Sequence, residues 1–188
     1  MATTTTISQV GEFPLISSMV GDLTMGQAVT LGPGDDGAVF QVDGSAVVST
    51  DVLVEEVHFR RRWSTATDVG RKAVAVNVSD IEAMGAVPVA LVVGFSAPGD
   101  LPASWAREFM AGMTAESQKA GVSVVGGDTT GGPVVSIAVT VIGQTAGMAP
   151  VRRDGAVPGD EVAVIGQLGL AAAGLALLGR GFRSPRAV

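Results

Sequence analysis

Apolar residues recur at helical spacing in two long segments of the chain. The first segment is residues 68–84. The second is residues 104–120, where Trp105, Phe109 and Met113 form a stripe at i, i+4 and i+8. Such spacing places apolar side chains on one side of a helix. We therefore predict a helix over each segment and expect the aromatic stripe to pack into the core.

Residues at the ends of these segments suit helix termini. Asp68 is a candidate N-cap, and Gly85 and Gly121 suit the position just after a helix. Shorter helices are predicted over residues 12–19, where Pro14 falls in the first turn, and over residues 170–178.

Short apolar runs bounded by Gly, Pro or Asp predict the strands. They are residues 38–42, 46–50, 87–95, 122–125, 134–142 and 162–165. Asp43-Gly44 joins the first two runs and indicates a hairpin, because both residue types tolerate positive φ. That hairpin would bring Asp36 and Asp51 to the same end of two strands. The order of elements predicts an α/β (α+β) fold, a mixed sheet with helices on one face.

Composition narrows the class of protein. Of the 188 residues, 47% are apolar and 16% charged, which is typical of a globular chain. The formal net charge is -6 and the one basic run is Arg60-Arg61-Arg62. We therefore expect no nucleic-acid partner, since phosphate backbones bind clustered Lys and Arg.

The chain has no cysteine, which excludes disulfides, thiolate metal sites and cysteine nucleophiles and fits a reducing cytosol. The N-terminus lacks the basic and apolar regions of a signal peptide. Residues 162–178 are uncharged but short and interrupted by glycines, so a buried strand followed by a helix accounts for them better than a membrane span. We expect a cytoplasmic location and no membrane partner.

Four aspartates stand at predicted strand or helix junctions: Asp36, Asp51, Asp80 and Asp128. Each is flanked by Gly, Ser, Thr or Asn, small residues that leave room for ions and phosphates. One Asp-Gly turn would be an ordinary solvated turn. Four such positions indicate a Mg2+ site, because Mg2+ takes carboxylate and hydroxyl oxygens and also binds substrate phosphates. In the 34–37 loop we expect Asp36 to be the ligand and Asp35 to orient the loop.

The Gly-Gly-Asp-Thr-Thr segment at 126–130 has glycines and hydroxyls that suit a phosphate-facing loop. There is no Walker A motif and no Rossmann fingerprint, and the only lysines are Lys72 and Lys119. A nucleotide bound here would have its charge offset mainly by metal ions, with arginine helping.

The single histidine, His58, has two interpretations. A lone histidine at a strand end is commonly bonded to backbone, and a position seven residues after Asp51 keeps a substrate role open. Arg60 to Arg62 are expected to be solvated or to face a partner protomer. Arg152 and Arg153 precede an Asp-Gly turn, and either is placed to reach a phosphate.

Taken in order, these motifs resemble the thiamine-monophosphate kinase family of the aminoimidazole ribonucleotide synthetase (PurM-like) superfamily. The resemblance runs from about Gly11 to the C-terminus. It is carried by Gly-Asp-Asp-Gly-Ala-Val at 34–39, Ser-Thr-Asp at 49–51, His-Phe at 58–59, the run 72–81, Ala-Met-Gly-Ala at 83–86 and Gly-Gly-Asp-Thr-Thr at 126–130.

The resemblance implies ATP-dependent phosphorylation of thiamine monophosphate to thiamine diphosphate. Transfer would be direct and in-line, with several Mg2+ ions and no covalent nucleophile. It also implies a PurM N-terminal-like domain whose strands pair into a barrel across a homodimer.

Site residues carried over by position are expectations of the same resemblance. The Mg2+ ligands would be Asp36, Ser49, Thr50, Asp51, Asp80 and Asp128. His58 would contact thiamine monophosphate, and Gly127, Asp128 and Arg153 would lie near ATP.

The chain departs from the family pattern in two places. Gly131 follows the Gly-Asp-Thr-Thr motif where relatives often have a basic residue, and only the first strand and helix of a C-terminal domain are expected. We predict an ATP- and Mg2+-binding, dimerising domain over residues 1–154 and the beginning of an incomplete C-terminal domain over 155–188. Two alternatives remain open at this stage: a non-catalytic dimerising or nucleotide-binding remnant, and another PurM-like ATP-dependent enzyme.

Overall fold

The computed structural model describes residues 5–182. It divides into two compact units, one ending at Val151 and the other beginning at Arg152. This division lies close to the predicted boundary at residue 154, although the identity of the second unit as the start of a further domain stays a prediction. No helix within residues 5–182 has the length and apolar character needed to cross a membrane.

The described part of the first unit, from residue 5 onward, holds four helices and six strands. They are α1 (Ile7–Val10), α2 (Glu12–Val20), β1 (Val29–Leu31), β2 (Val39–Phe40), β3 (Ala46–Val54), α3 (Ala66–Ala83), β4 (Val87–Ala97), α4 (Ala103–Ala120), β5 (Ser123–Gly131) and β6 (Ser136–Gln144). The described part of the second unit holds α5 (Leu170–Gly179).

The main sheet is mixed, as the sequence predicts. Its strand order is β3-β6-β4-β5. The β4–β5 pair is parallel, and the other pairs are antiparallel. A parallel pair needs a crossover connection, and α4 supplies it between β4 and β5.

Strand alternation gives the sheet two different faces. On β6, Ile137, Val139 and Val141 are fully buried in the core that the sheet shares with α3 and α4. On the opposite face, Val48 is 61% exposed and Val52 44% exposed. The helices therefore cover one face, which confirms the predicted layering.

Two glycines let α3 and α4 approach closely. A Cβ added at Gly70 would lie 2.1 Å from the Phe109 carbonyl oxygen, and one at Gly112 would lie 2.2 Å from that of Thr67. No side chain fits at either position, so the backbones of the two helices touch there. The predicted core stripe is confirmed, since Phe109 and Met113 are fully buried and Trp105 packs against the core.

The predicted hairpin is wrong. β2 pairs with β1 in a separate two-stranded sheet, and β3 pairs with β6 over nine residues. Gly44 has the expected positive φ of 74°, but the turn is bonded to distant residues. The Asp43 amide donates to Gln144 Oε1, and the Ser45 amide donates to Thr145 Oγ1. The end of β6 therefore takes the place of the expected partner strand.

Three further predictions need correction. Thr65, not Asp68, is the N-cap of α3, and Asp68 is the acidic partner of a capping box. The segment 126–130, predicted as a loop, lies within β5 because it pairs with β4 through Gly131. Residues 162–165, predicted as a strand, form none in the described second unit.

Candidate functional site

The first group of polar residues lies where α3 packs on β3, and we call it the strand–helix group: Ser49, Asp51, Asn77 and Asp80. Ser49 Oγ donates to Asp80 Oδ2 at 2.8 Å, and the Asp51 amide donates to Asn77 Oδ1 at 3.2 Å. Asp51 and Asp80 are exposed, whereas Asn77 is fully buried. The Asp51 and Asp80 carboxylates thus face solvent, and hydrogen bonds between β3 and α3 hold the two residues in place.

Thr50 points away from this group. Side chains alternate along a strand, so Thr50 lies on the opposite face of the sheet from Ser49 and Asp51. Its Oγ1 lies 3.0 Å from the Val139 carbonyl oxygen and 3.1 Å from Thr140 Oγ1. The predicted ligand run at 49–51 is therefore split between two faces.

The second group, which we call the cavity group, is Asp35, Asp36, Gly127 and Asp128. These residues line a cavity of about 610 Å3 together with apolar side chains of α2 and α4, including Ile16, Met19 and Met110. The acidic loop and the Gly-Gly-Asp segment of β5 thus share one cavity, although they are about ninety positions apart in the chain.

Gly127 sets the position of Asp128. A Cβ at Gly127 would lie 2.0 Å from the Val93 carbonyl oxygen, whereas a Cβ at Gly126 would meet nothing within 4 Å. The β4–β5 register also shifts here, since Leu91 pairs with Val124 but Val92 pairs with Gly126. The close approach at Gly127 fixes the strand after this irregularity.

The two groups stand apart in one chain. A row of paired residues runs from Asp51 on β3 through Val139 and Val93 to Gly127 on β5. Three strand intervals of about 4.8 Å separate β3 from β5 by about 14 Å. In the described part of the chain, no three His, Asp or Glu side chains are close enough to hold a metal ion. The expectation that Asp36 and Asp51 meet at one end of a hairpin is therefore wrong.

Each group nevertheless has donors that fit Mg2+. Both present carboxylate oxygens to solvent, and the strand–helix group adds a hydroxyl. Mg2+ keeps several waters and is commonly held by one or two carboxylates plus substrate phosphates. The two carboxylates of the strand–helix group and the three of the cavity group suit that mode of binding, and neither group forms a closed cage.

The expected backbone bonding of His58 is present. Its Nδ1 accepts from the Val54 amide at 3.0 Å, and its carbonyl accepts from Lys72 Nζ. Because Nδ1 is an acceptor, a neutral ring carries its proton on Nε2. The ring is exposed, so Nε2–H is available as a donor on the surface. A contact with substrate stays a prediction.

The three consecutive arginines are paired with glutamates. Arg60 and Arg62 both bind Glu56, and Arg61 binds Glu55. Arg60 and Arg62 also lie over the ring of Trp63, at 4.2 and 5.4 Å from its centroid. The three guanidinium groups thus have partners within the chain, and the expectation that they are solvated or face a partner protomer stays a prediction.

Arg153 lies in the second unit, where the neighbouring Arg152 pairs with Asp154 at 3.0 Å. Its predicted place near ATP stays a prediction. The apolar wall of the cavity was not predicted at all. The segment 12–19 is predicted as a helix, but nothing in its sequence indicates that Ile16 and Met19 face a cavity.

Comparison with known proteins identifies the family. The N-terminal domain described as "AIR synthase related protein" matches residues 34–145. The chain belongs to this family. The match includes every predicted metal ligand and His58, and it ends before Arg153.

Individual relatives of the family cover more of the chain. A protein named thiamine-monophosphate kinase from Mycobacterium tuberculosis is 49% identical over 173 residues, which are 92% of this chain and 52% of that protein. A solved thiamine-monophosphate kinase from Stenotrophomonas maltophilia has a TM-score of 0.75 and 36% identity, over 89% of this chain and 51% of that one.

A further solved structure carries ligands in its description. It is described as "AaThiL complexed with AMPPCP and TMP", and it matches with a TM-score of 0.69 and 32% identity over 95% of this chain and 56% of that one. The chain therefore spans about half the length of the relatives it matches.

Proposed function

We propose that the chain acts in the ATP-dependent phosphorylation of thiamine monophosphate to thiamine diphosphate. The observation that supports this most directly is the likeness, over almost all of the chain, to a structure described with AMPPCP and TMP. AMPPCP is a non-hydrolysable analogue of ATP, so its pairing with TMP suits a phosphoryl transfer between the two substrates.

The proposed reaction needs no covalent intermediate. A phosphate oxygen of thiamine monophosphate attacks the γ-phosphorus of ATP, the bond from γ-phosphorus to the bridging oxygen breaks, and ADP leaves. Bound Mg2+ would offset the negative charge shared by the two substrates. The protein's part is to hold the phosphates in line and to exclude water.

The proposed residue roles follow the two groups. Mg2+ would be held by Asp36, Ser49, Asp51, Asp80 and Asp128, whereas a role for Thr50, whose side chain lies on the opposite face of the sheet, rests on the resemblance alone. His58, whose exposed ring has a donor available at Nε2, would bind the thiamine phosphate. Gly127, Asp128 and Arg153 would bind ATP. The apolar wall of the cavity beside the Gly127-Asp128 backbone suits a ring-bearing substrate, because it desolvates the ring and leaves the phosphates at the acidic rim.

We also propose that the chain forms a homodimer through the open face of the sheet. Val48 and Val52 are exposed there beside Thr50, and unpaired apolar sheet surface is typical of an interface. A dimer would bring additional groups to each site, which suits two acidic groups that do not meet in one chain. A mass of twice 18.9 kDa in analytical ultracentrifugation supports this assembly, and a monomer at high concentration contradicts it.

The function is tested by one assay. The purified chain is incubated with ATP, Mg2+ and thiamine monophosphate, and thiamine diphosphate is measured by chromatography. We expect product that depends on all three additions. The matched control replaces ATP with AMPPCP, which binds but cannot transfer its γ-phosphoryl group, and should give none.

A second protein makes the negative result informative. The same assay is run with a version extended by a full C-terminal domain from a relative. Product from the extended protein alone would favour a nucleotide-binding, non-catalytic role for this chain. No product from either protein would contradict the kinase assignment.

A further inference from the structure

Asn77 is a buried amide side chain in the interior of the first unit. Asn77 lies on α3 with no exposed surface, among otherwise apolar core positions. Its Nδ2 donates to the Ala73 carbonyl at 2.8 Å, and its Oδ1 accepts the Asp51 amide at 3.2 Å. Burial of an amide is unfavourable unless its hydrogen bonds are satisfied, and here both ends are bonded.

The Asp51 amide has no strand neighbour on the side where Asn77 lies. β3 is the edge strand of the main sheet among the described residues and pairs with β6 on one side only. Asn77 therefore supplies the acceptor that a further strand would otherwise supply. The bond fixes the main chain at the residue that carries a proposed Mg2+ ligand.

A second bond one helical turn away defines the alignment of α3 on β3. Asp80 accepts from Ser49 Oγ, so residues three apart on the helix bind residues two apart on the strand. Three residues rise about 4.5 Å along a helix, and two residues span about 6.6–6.8 Å along a strand. The later helix residue, Asp80, binds the earlier strand residue, Ser49, so α3 runs antiparallel to β3. A slide of either element would break both bonds.

We propose that Asn77 is a positioning residue that holds Asp51 at the spacing from Asp80 that Mg2+ binding requires. This inference rests on the proposed function, in which both carboxylates are ligands. Asn77 does not touch the metal or a substrate, and acts through the Asp51 main chain. An apolar side chain of similar volume would satisfy the core but would leave the Asp51 amide without its acceptor.

The test separates an effect on the position of Asp51 from an effect on the stability of the whole protein. Asn77→Leu keeps the number and branching of the side-chain heavy atoms and removes both hydrogen bonds, and Asn77→Ala removes them without adding bulk should the leucine variant fail to fold. Val78→Ala is the matched control, because Val78 is the next residue of α3, is 5% exposed and makes no bond to β3 through its side chain. Asp51→Asn reports on the proposed ligand itself.

Two measurements are made on each folded variant. Calorimetry gives the affinity for Mg2+ in the presence of saturating AMPPCP, and amide hydrogen exchange gives the protection at Asp51. We expect the Asn77 variants to lose about 10- to 100-fold in Mg2+ affinity, the range found when groups that orient a ligand are removed. They should also lose protection at Asp51, whereas Val78→Ala keeps both within about twofold even at equal loss of thermal stability.

The outcomes distinguish this inference from the proposed function. If Asp51→Asn weakens Mg2+ binding and the Asn77 variants do not, Asn77 is only a satisfied core amide and the proposed function stands. If Val78→Ala weakens Mg2+ binding as much as the Asn77 variants, the effect is one of general stability and the inference is wrong. If Asp51→Asn has no effect, the ligand assignment fails, and the inference fails with it.

Discussion

The strand–helix group and the cavity group present similar carboxylates but are built differently. In the strand–helix group, Ser49 bonds Asp80 and Asn77 bonds the Asp51 main chain, so each element holds the other. In the cavity group, the Asp36 amide donates to Asp35 Oδ1 within the same loop. On β5, the steric fit of Gly127 against the Val93 carbonyl oxygen sets the position of Asp128.

The difference shows two ways of placing an acidic ligand. Hydrogen bonds between elements arrange the carboxylates of the strand–helix group before any ion arrives. The cavity group depends on backbone shape and on a bond within its own loop, and its carboxylates are exposed to solvent. Substitutions in the two groups should therefore separate effects on folding from effects on ligand binding.

The largest effect on folding is expected from Gly127→Ala. The added methyl would lie 2.0 Å from the Val93 carbonyl oxygen, so β5 must move away from β4. Such overpacking destabilises a protein by about 1–3 kcal/mol. Urea unfolding measures the loss. Gly126→Ala is the matched control, because its methyl meets nothing within 4 Å and should change the free energy of unfolding by less than about 0.5 kcal/mol. Equal losses for both variants would contradict the steric role of Gly127.

An intermediate effect is expected from Ser49→Ala. It removes the donor to Asp80 and should lower the free energy of unfolding by about 0.5–1.5 kcal/mol, because one hydrogen bond is lost at a partly exposed site. Mg2+ affinity in the presence of AMPPCP should fall as well, since the Asp80 carboxylate is then free to rotate.

Ser79→Ala provides the control for this prediction. Ser79 precedes Asp80 on α3, but its hydroxyl donates to the Val76 carbonyl of the same helix. We expect Mg2+ affinity to be unchanged in this variant. A loss equal to that of Ser49→Ala would mean that the helix surface, and not the bond to β3, orients Asp80.

The two groups also differ in how far the sequence predicts them. The helical face shared by Asn77 and Asp80 follows from their spacing of three, and the need for a polar partner follows from their apolar surroundings. The sequence does not identify that partner, because a loop separates β3 from α3 and local spacing does not show how the two elements pack. Local pattern even indicated the wrong partner for β3, because the acceptors of the Asp43 and Ser45 amides, Gln144 Oε1 and Thr145 Oγ1, lie about a hundred positions away in the chain.

For the cavity group, the sequence predicts which residue types are involved but not which residues lie next to one another in the fold. The glycine-flanked aspartates are visible in both the 34–37 loop and the 126–130 segment. The 126–130 segment lies in β5 after a register shift between Leu91 and Val92. That shift is a property of the β4–β5 pair, and the sequence of neither strand shows it alone. The elements themselves follow from periodicity, because the core helices and strands are long and regular.

The smallest effect on folding is expected from Asp36→Asn, and this variant tests the cavity group most directly. Asp36 is exposed, so the free energy of unfolding should change by less than about 0.5 kcal/mol. Removal of one negative oxygen from a proposed ligand should nevertheless weaken Mg2+-dependent AMPPCP binding, measured by calorimetry at several Mg2+ concentrations. Asp35→Asn is the control, because its amide oxygen can still accept from the Asp36 amide and keep the loop shape. Equal weakening by the two variants would mean that both carboxylates bind the ion. No weakening by either would remove the acidic loop from the site and leave the strand–helix group as its remaining acidic part.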